Sequence, residues 1–180
     1  MRLFAAIDVP PVIRSALTRL QSDLRVGRLV APENLHVTLA FLDDQSLQTA
    51  EILNETLAGI SASCFDLRVA GLDVFDRAAP RLVCASVEPS EDLTALRNKV
   101  RSAARAAEID LRRERFRPHV TLARFPRSMP RPDLDKLGAF LEAHGDFRLD
   151  PVRIERFGLY RSILGPDGPV YDLLADYPLD

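Results

Sequence analysis

The same four residues, His-Val-Thr-Leu, occur twice in this sequence, at His36 within ENLHVTLAFL and at His119 within FRPHVTLARF. Each copy sits in an apolar, β-branched setting of strand length. Successive side chains of a strand point to opposite faces. His36 and Thr38 therefore share one face, with Val37 and Leu39 on the other; His119 and Thr121 likewise oppose Val120 and Leu122. Valine and leucine anchor each strand in a hydrophobic layer, which leaves an imidazole and a hydroxyl together on the remaining face. Two of the chain's three histidines are used in this way. A fold built on such strands must cover one face and keep the other accessible.

The surroundings of the two copies also repeat. RLFAAID reads as a first strand, and Pro10-Pro11 opens a helix to about Arg25 with Val12, Ile13, Ala16, Leu17, Leu20 and Leu24 on its core face. A short strand and a turn around Pro32-Glu33-Asn34 lead into the first motif, and a second helix follows from about Ser46 to Ile60. FDLRVAGLDVFD and RLVCASVEP form a strand pair, joined by a loop through Ala78-Ala79-Pro80. Ser90 is placed to cap a third helix, whose apolar face is Leu93, Leu96, Val100 and Ala107. Arg97, Arg101 and Arg105 form the opposite stripe, expected to be solvated. After the second motif, PRSMPRPD leads into a fourth helix ending near His144-Gly145, and two final strands are joined by a Gly-Pro-Asp-Gly turn.

One motif thus falls in each strand–helix–strand half. The expected fold is α+β: two pseudo-symmetric lobes with antiparallel sheets flanking a central cleft and helices on the outside. Residues 1–180 are expected to form a single bilobal domain with an internal duplication. A chain of this size buries enough apolar surface to fold without disulfides or a structural metal. Cys64 and Cys84 have no CxxC spacing and read as reduced, packed thiols. The N-terminal apolar run is broken at Asp8, too short and too acidic for a signal peptide or membrane span, so a cytoplasmic protein is expected. The formal charge of −2 argues against a generally basic nucleic-acid coat, though it allows a local phosphate-gripping patch. Lys99 and Lys136 are the only lysines, and neither lies in a KxDG-like setting, which argues against a ligase working through an adenylated lysine.

Packed as two lobes, the histidine–threonine faces can line one cleft. Histidine titrates near neutrality, so one ring can hold a proton while its twin lacks one. Threonine hydroxyls can bind nonbridging phosphate oxygens. The set suits a phosphate ester. A zinc site would want three or four ligands, and neither cysteine adjoins a motif, so neither a metal nor any other cofactor is expected.

On these residues the chain resembles the 2H phosphoesterases, named for paired His-x-Thr-x motifs. It is most similar to the bacterial and archaeal RNA 2',3'-cyclic phosphodiesterases, historically called 2'-5' RNA ligases. The resemblance spans RLFAAID, PENLHVTLAFL, FRPHVTLARF and LYRSILGPDGPVYDLL. It implies His36 as proton donor, His119 as proton acceptor, Thr38 and Thr121 as phosphate-binding threonines, and Arg124 as a further phosphate contact. Strict alternation puts Arg124 opposite His119, so that role requires a bend or strand end. The implied reaction is metal-independent hydrolysis of RNA 2',3'-cyclic phosphate ends, or of cyclic nucleotides, to 2'-phosphomonoesters, and in reverse an ATP-independent joining. A monomer without membrane attachment is expected.

Two departures stand out. Asp43-Asp44 follows FL where relatives often carry glycine, and the chain has no tryptophan before the first motif or elsewhere. The basic stretch RRERFR, Arg112 to Arg117, reads either as a guide for the RNA backbone or as a solvated loop. Phe41 and Phe116 flank the motifs; core packing is the expected role of each, with base stacking the alternative. His144 needs only a capping or surface role. The alternative functions are a nonenzymatic module that binds RNA ends or nucleotides, and a phosphoesterase acting on 2',5'-oligonucleotides or another cyclic phosphate.

Overall fold

The computed structural model describes residues 1–166 and 168–180. Among these described residues ten strands and four α-helices follow one another as β1 (Arg2–Asp8), α1 (Pro11–Gln21), β2 (Arg28–Leu29), β3 (His36–Asp44), α2 (Leu47–Ala58), β4 (Phe65–Leu67), β5 (Val69–Phe75), β6 (Leu82–Val87), α3 (Glu91–Ala106), β7 (His119–Arg124), α4 (Arg131–Ala143), β8 (Val152–Ile154), β9 (Arg156–Gly165) and β10 (Gly168–Pro178). The helices begin where local chemistry dictates. Pro11 occupies the first turn of α1, where a missing N–H costs nothing. The Ser46 hydroxyl accepts from the Thr49 N–H at the start of α2, and Ser90 accepts from the Leu93 N–H at the start of α3. The expected turn between the last strands includes Asp167, which lies outside the described residues. The flanking strands pair antiparallel from Gly165↔Gly168 to Arg156↔Pro178.

Eight strands form one sheet in the order β10-β9-β1-β3-β7-β6-β5, with β2 also paired to β7; β4 and β8 form a separate pair. The two lobes are the two ends of this antiparallel sheet. They meet between the motif strands, where Val37 pairs with Val120. This seam sets the two His-Val-Thr-Leu segments side by side. On one face Val37, Leu39, Val120 and Leu122 are fully buried. They join a single hydrophobic cluster with Ile13 and Leu17 of α1, Leu53 and Leu57 of α2, Leu96 and Val100 of α3 and Phe140 of α4. The helices thus cover one side of the seam, and the histidine–threonine face looks out on the other. Among the described residues no helix is long and apolar enough to cross a membrane.

The arginine stripe of α3 is not solvated as expected. Arg97 and Arg101 are buried, while Arg105 is exposed. The Arg97 guanidinium lies over the Phe116 ring at 4.5 Å and 3.5 Å from Glu114, and Arg101 donates to the Arg112 carbonyl at 2.8 Å. The chain between α3 and β7 folds back across these side chains, and their aliphatic stems pack beneath it. Helical periodicity could not reveal that cover, because it comes from the loop.

Candidate active site

The two motif strands share a geometry that simple alternation does not give. In the β1–β3 ladder, Ala6 faces Thr38 while Ala5 faces Ala40, so Leu39 is an extra, unpaired residue. In the β6–β7 ladder, Cys84 faces Thr121 while Val83 faces Ala123, so Leu122 is extra in the same way. Each is a one-residue bulge, which shifts the side-chain parity of the residues next beyond it; in β3 a second bulge at Leu42 shifts it again after Phe41. Past the bulges, Phe41 and Arg124 therefore turn to the side of His36, Thr38, His119 and Thr121. All six line one cavity of ≈ 490 Å³. The bend required for Arg124 is this bulge. Phe41 is 57% exposed, so the expectation that it packs in the core is corrected: the bulge rotates it out of the core and into the cavity. Phe116 is half-buried and packs against the core and against the Arg97 guanidinium.

Each histidine is oriented by the backbone two residues earlier. His36 Nδ1 lies 2.7 Å from the Asn34 carbonyl, and His119 Nδ1 lies 2.6 Å from the Arg117 carbonyl. A carbonyl can only accept, so in each ring Nδ1 carries the hydrogen and Nε2 is left for other chemistry. His36 Nε2 lies 3.1 Å from the Thr38 hydroxyl. The residues supplying the carbonyls are themselves held by their side chains. Asn34 donates to the Pro169 carbonyl of β10 at 2.8 Å. Arg117 pairs with Asp73 of β5 at 2.6 Å and stacks over Phe75 at 4.3 Å. Phe75 in turn packs on the His119 ring at 4.6 Å, while Phe4 and Tyr171 flank His36 at 5.0 and 5.3 Å.

Burial pushes both imidazoles below their ordinary pKa, chiefly because the charged form loses solvation. For His36 the Asn34 carbonyl opposes that shift, Arg124 and His119 add to it, and Asp8 counters weakly. For His119 the Arg117 carbonyl opposes it, the Arg117 and Arg124 charges add to it, and Asp73 counters. Arg124 thus acts on both rings. An anion bound against it would relieve both at once.

A second cavity of ≈ 330 Å³ opens beside His36, lined by Arg28, Asn34, Tyr171, Thr121 and Arg124. On the far side of His119 lies a third, of ≈ 530 Å³, bordered by Arg115, Phe116 and Arg117. Asn34 and Arg117 were legible in principle, since each stands two residues before a motif histidine; Arg28, Phe75 and Tyr171 carry no such signal. His144 closes α4 and meets Asp23 at 3.2 Å, away from the cleft. Among the described residues no three His, Cys, Asp or Glu side chains cluster as a metal site.

The chain has extensive similarity to known proteins. It is 33% identical over 192 aligned positions, covering 99% of this chain and 90% of the relative, to an RNA 2',3'-cyclic phosphodiesterase of Thermus thermophilus. It is 29% identical over 176 positions, covering 95% and 96%, to one of Archaeoglobus fulgidus. A crystal structure of E. coli LigT complexed with 3'-AMP superposes with a TM-score of 0.75 at 28% identity, covering 99% of this chain and 96% of that one. Residues 9–162 match the sequence profile of the 2'-5' RNA ligase superfamily, and it is to this family that the chain belongs.

Proposed function

We propose that the protein hydrolyses 2',3'-cyclic phosphates at RNA or nucleotide ends to 2'-phosphomonoesters. What supports this reading is the twin geometry of His36 and His119: each ring has Nδ1 engaged by a carbonyl, leaves Nε2 as its working nitrogen, and borders the same cavity. In the reading, neutral His119 takes a proton from water as the water oxygen attacks phosphorus. The bond from phosphorus to the 3' oxygen breaks, and protonated His36 delivers its proton to that oxygen. The product carries a 2'-phosphate and a free 3'-hydroxyl. A positioned proton carrier contributes about 10²–10⁴-fold to such a step. Thr38 and Thr121 hold nonbridging oxygens by hydroxyl donation, and the Arg124 guanidinium stabilises their charge. With a 5'-hydroxyl in place of water as the nucleophile, the same groups break the same bond to the 3' oxygen and join the ends through a 2'-5' linkage without ATP.

Within this reading the protein works without a metal, as a cytoplasmic monomer, and its single domain arose by internal duplication. The two His-Val-Thr-Leu bulges, identical in register, support the duplication. The deciding experiment incubates RNA bearing a 2',3'-cyclic end with the protein in chelator. Formation of 2'-phosphate, abolished in His36→Ala and His119→Ala, is the expected result. Binding without turnover by the unaltered protein would instead identify a nonenzymatic RNA-end module. Turnover that appears only with added divalent metal would defeat the two-histidine mechanism.

A further inference from the structure

Gln21, the last residue of α1, is one of three polar or charged side chains that are buried among the described residues, at 4% exposure. The other two are the α3 arginines beneath the loop. Its Nε2 donates to the Leu122 carbonyl at 2.9 Å and to the Val30 carbonyl at 2.8 Å. Leu122 is the extra residue of the β7 bulge, and the Val30 N–H donates to the same carbonyl at 2.9 Å. The two hydrogens of one amide thus tie the bulge to the chain segment that follows β2. β2 itself carries Arg28 opposite Arg124 in the β2–β7 pairing. A bulge leaves ladder groups unpaired, and in a buried setting those groups need another partner. A glutamine amide with two donors matches two neighbouring carbonyls. Among the described residues no side chain donates to the carbonyl of Leu39, the extra residue of the β3 bulge that turns Phe41, not a cation, outward; a second β3 bulge at Leu42 has its carbonyl bound by the Gln45 amide.

We propose that Gln21 is a positioning residue for phosphate binding: from the far side of the sheet it holds the Leu122 bulge that turns Arg124 into the cleft. This rests on the reading of Arg124 as a phosphate contact. Without the amide, β7 can relax toward regular pairing, in which residue 124 would revert to the core side. Gln21 touches no substrate and acts through the backbone at Leu122.

The test compares Gln21→Met, of similar length but lacking the donor, with Arg124→Ala and with the double variant. Kinetics use a 2',3'-cyclic nucleotide, and calorimetry uses inorganic phosphate as the probe. Gln21→Met is expected to raise KM and weaken phosphate binding by roughly 5- to 50-fold, within the range of coupled neighbours. Its kcat should fall no further than in Arg124→Ala, and because Arg124 no longer sets its charge against both rings, the pH limbs of kcat/KM should move to higher pH, which a merely destabilising change would not do. In the Arg124→Ala background it should add less than about twofold, because the two residues act as one unit. Gln21→Ala, which leaves room for a water to bridge the carbonyls, should show a smaller loss in the same parameters and serves if the methionine variant does not fold. Effects that multiply in the double variant, or single variants with unaltered KM and phosphate affinity, would overturn the proposal. Unchanged KM in Arg124→Ala would remove the assigned role of Arg124 and this proposal with it, leaving the two-histidine reading to its own variants.

Discussion

Phe41 and Arg124 are equivalent residues: each lies just past a one-residue bulge in its motif strand, and both face the same cavity. The two halves therefore present identical His-x-Thr faces and then diverge, one ending in an aromatic ring and the other in a guanidinium. A substrate with one anionic group and one flat, weakly polar ring would match that asymmetry. A cyclic phosphate on a nucleoside is such a molecule.

Phe41→Ala should raise KM for a cyclic-ended RNA while leaving kcat nearly unchanged. Loss of a base stack worth about 1 kcal/mol corresponds to roughly 5-fold. Because the ring is 57% exposed, stability should change by no more than about 0.5 kcal/mol. Steady-state kinetics and urea unfolding check both parts, and Phe41→Tyr should retain most of the affinity.

The pH dependence follows from the lowered imidazole pKa values. Activity in free substrate requires one ring protonated and one neutral, so kcat/KM should be bell-shaped with its apparent pKa values belonging to the pair. Both are displaced below the ordinary 6.5, chiefly by burial, which places the optimum on the acidic side of that value. Arg124→Gln removes a positive charge acting on both rings and should move the profile to higher pH, though with lower activity. Stability runs the same way: the fold disfavours the protonated rings, so stability is full above pH 6.5 and declines as pH falls toward the folded-state values. Replacing either histidine by glutamine should flatten that decline in urea midpoints measured across the range.

Asp73→Asn should slow the reaction through His119. Asp73 pairs with Arg117, whose carbonyl holds the ring. Loss of the carboxylate charge also pushes the His119 pKa further down, beyond the dominant effect of burial. The acidic limb of kcat/KM is expected to move to lower pH, and kcat to fall roughly tenfold, a part of the about 10²–10⁴ that a positioned proton carrier supplies. Asp73→Glu should recover part of kcat. A fall in stability with an unmoved limb would contradict this role.

Two backbone substitutions should have opposite signs. Asp43 has φ 54°, a left-handed conformation that glycine adopts freely. Asp43→Gly should stabilise the fold by about 1 kcal/mol or less. Gly27 has φ +80°, and a Cβ there would meet the Phe125 ring at 2.5 Å. Gly27→Ala should destabilise by about 1–3 kcal/mol, read from urea unfolding.

The sequence by itself determined which residues of each motif strand share a face, since the two-residue period is a property of the extended chain. It also determined where the helices start and which stripes they bury, because caps and helical spacing are local. Only the tertiary structure decided how Phe41 and Arg124 face. Their parity reverses at Leu39 and Leu122, and those bulges are set by pairing with β1 and β6, and in β7 by a donor from α1. It alone decided the burial of Arg97 and Arg101 as well, since burial depends on what arrives to cover a surface. A strand's alternation is written within a few residues; its interruptions are written in partners a hundred residues away.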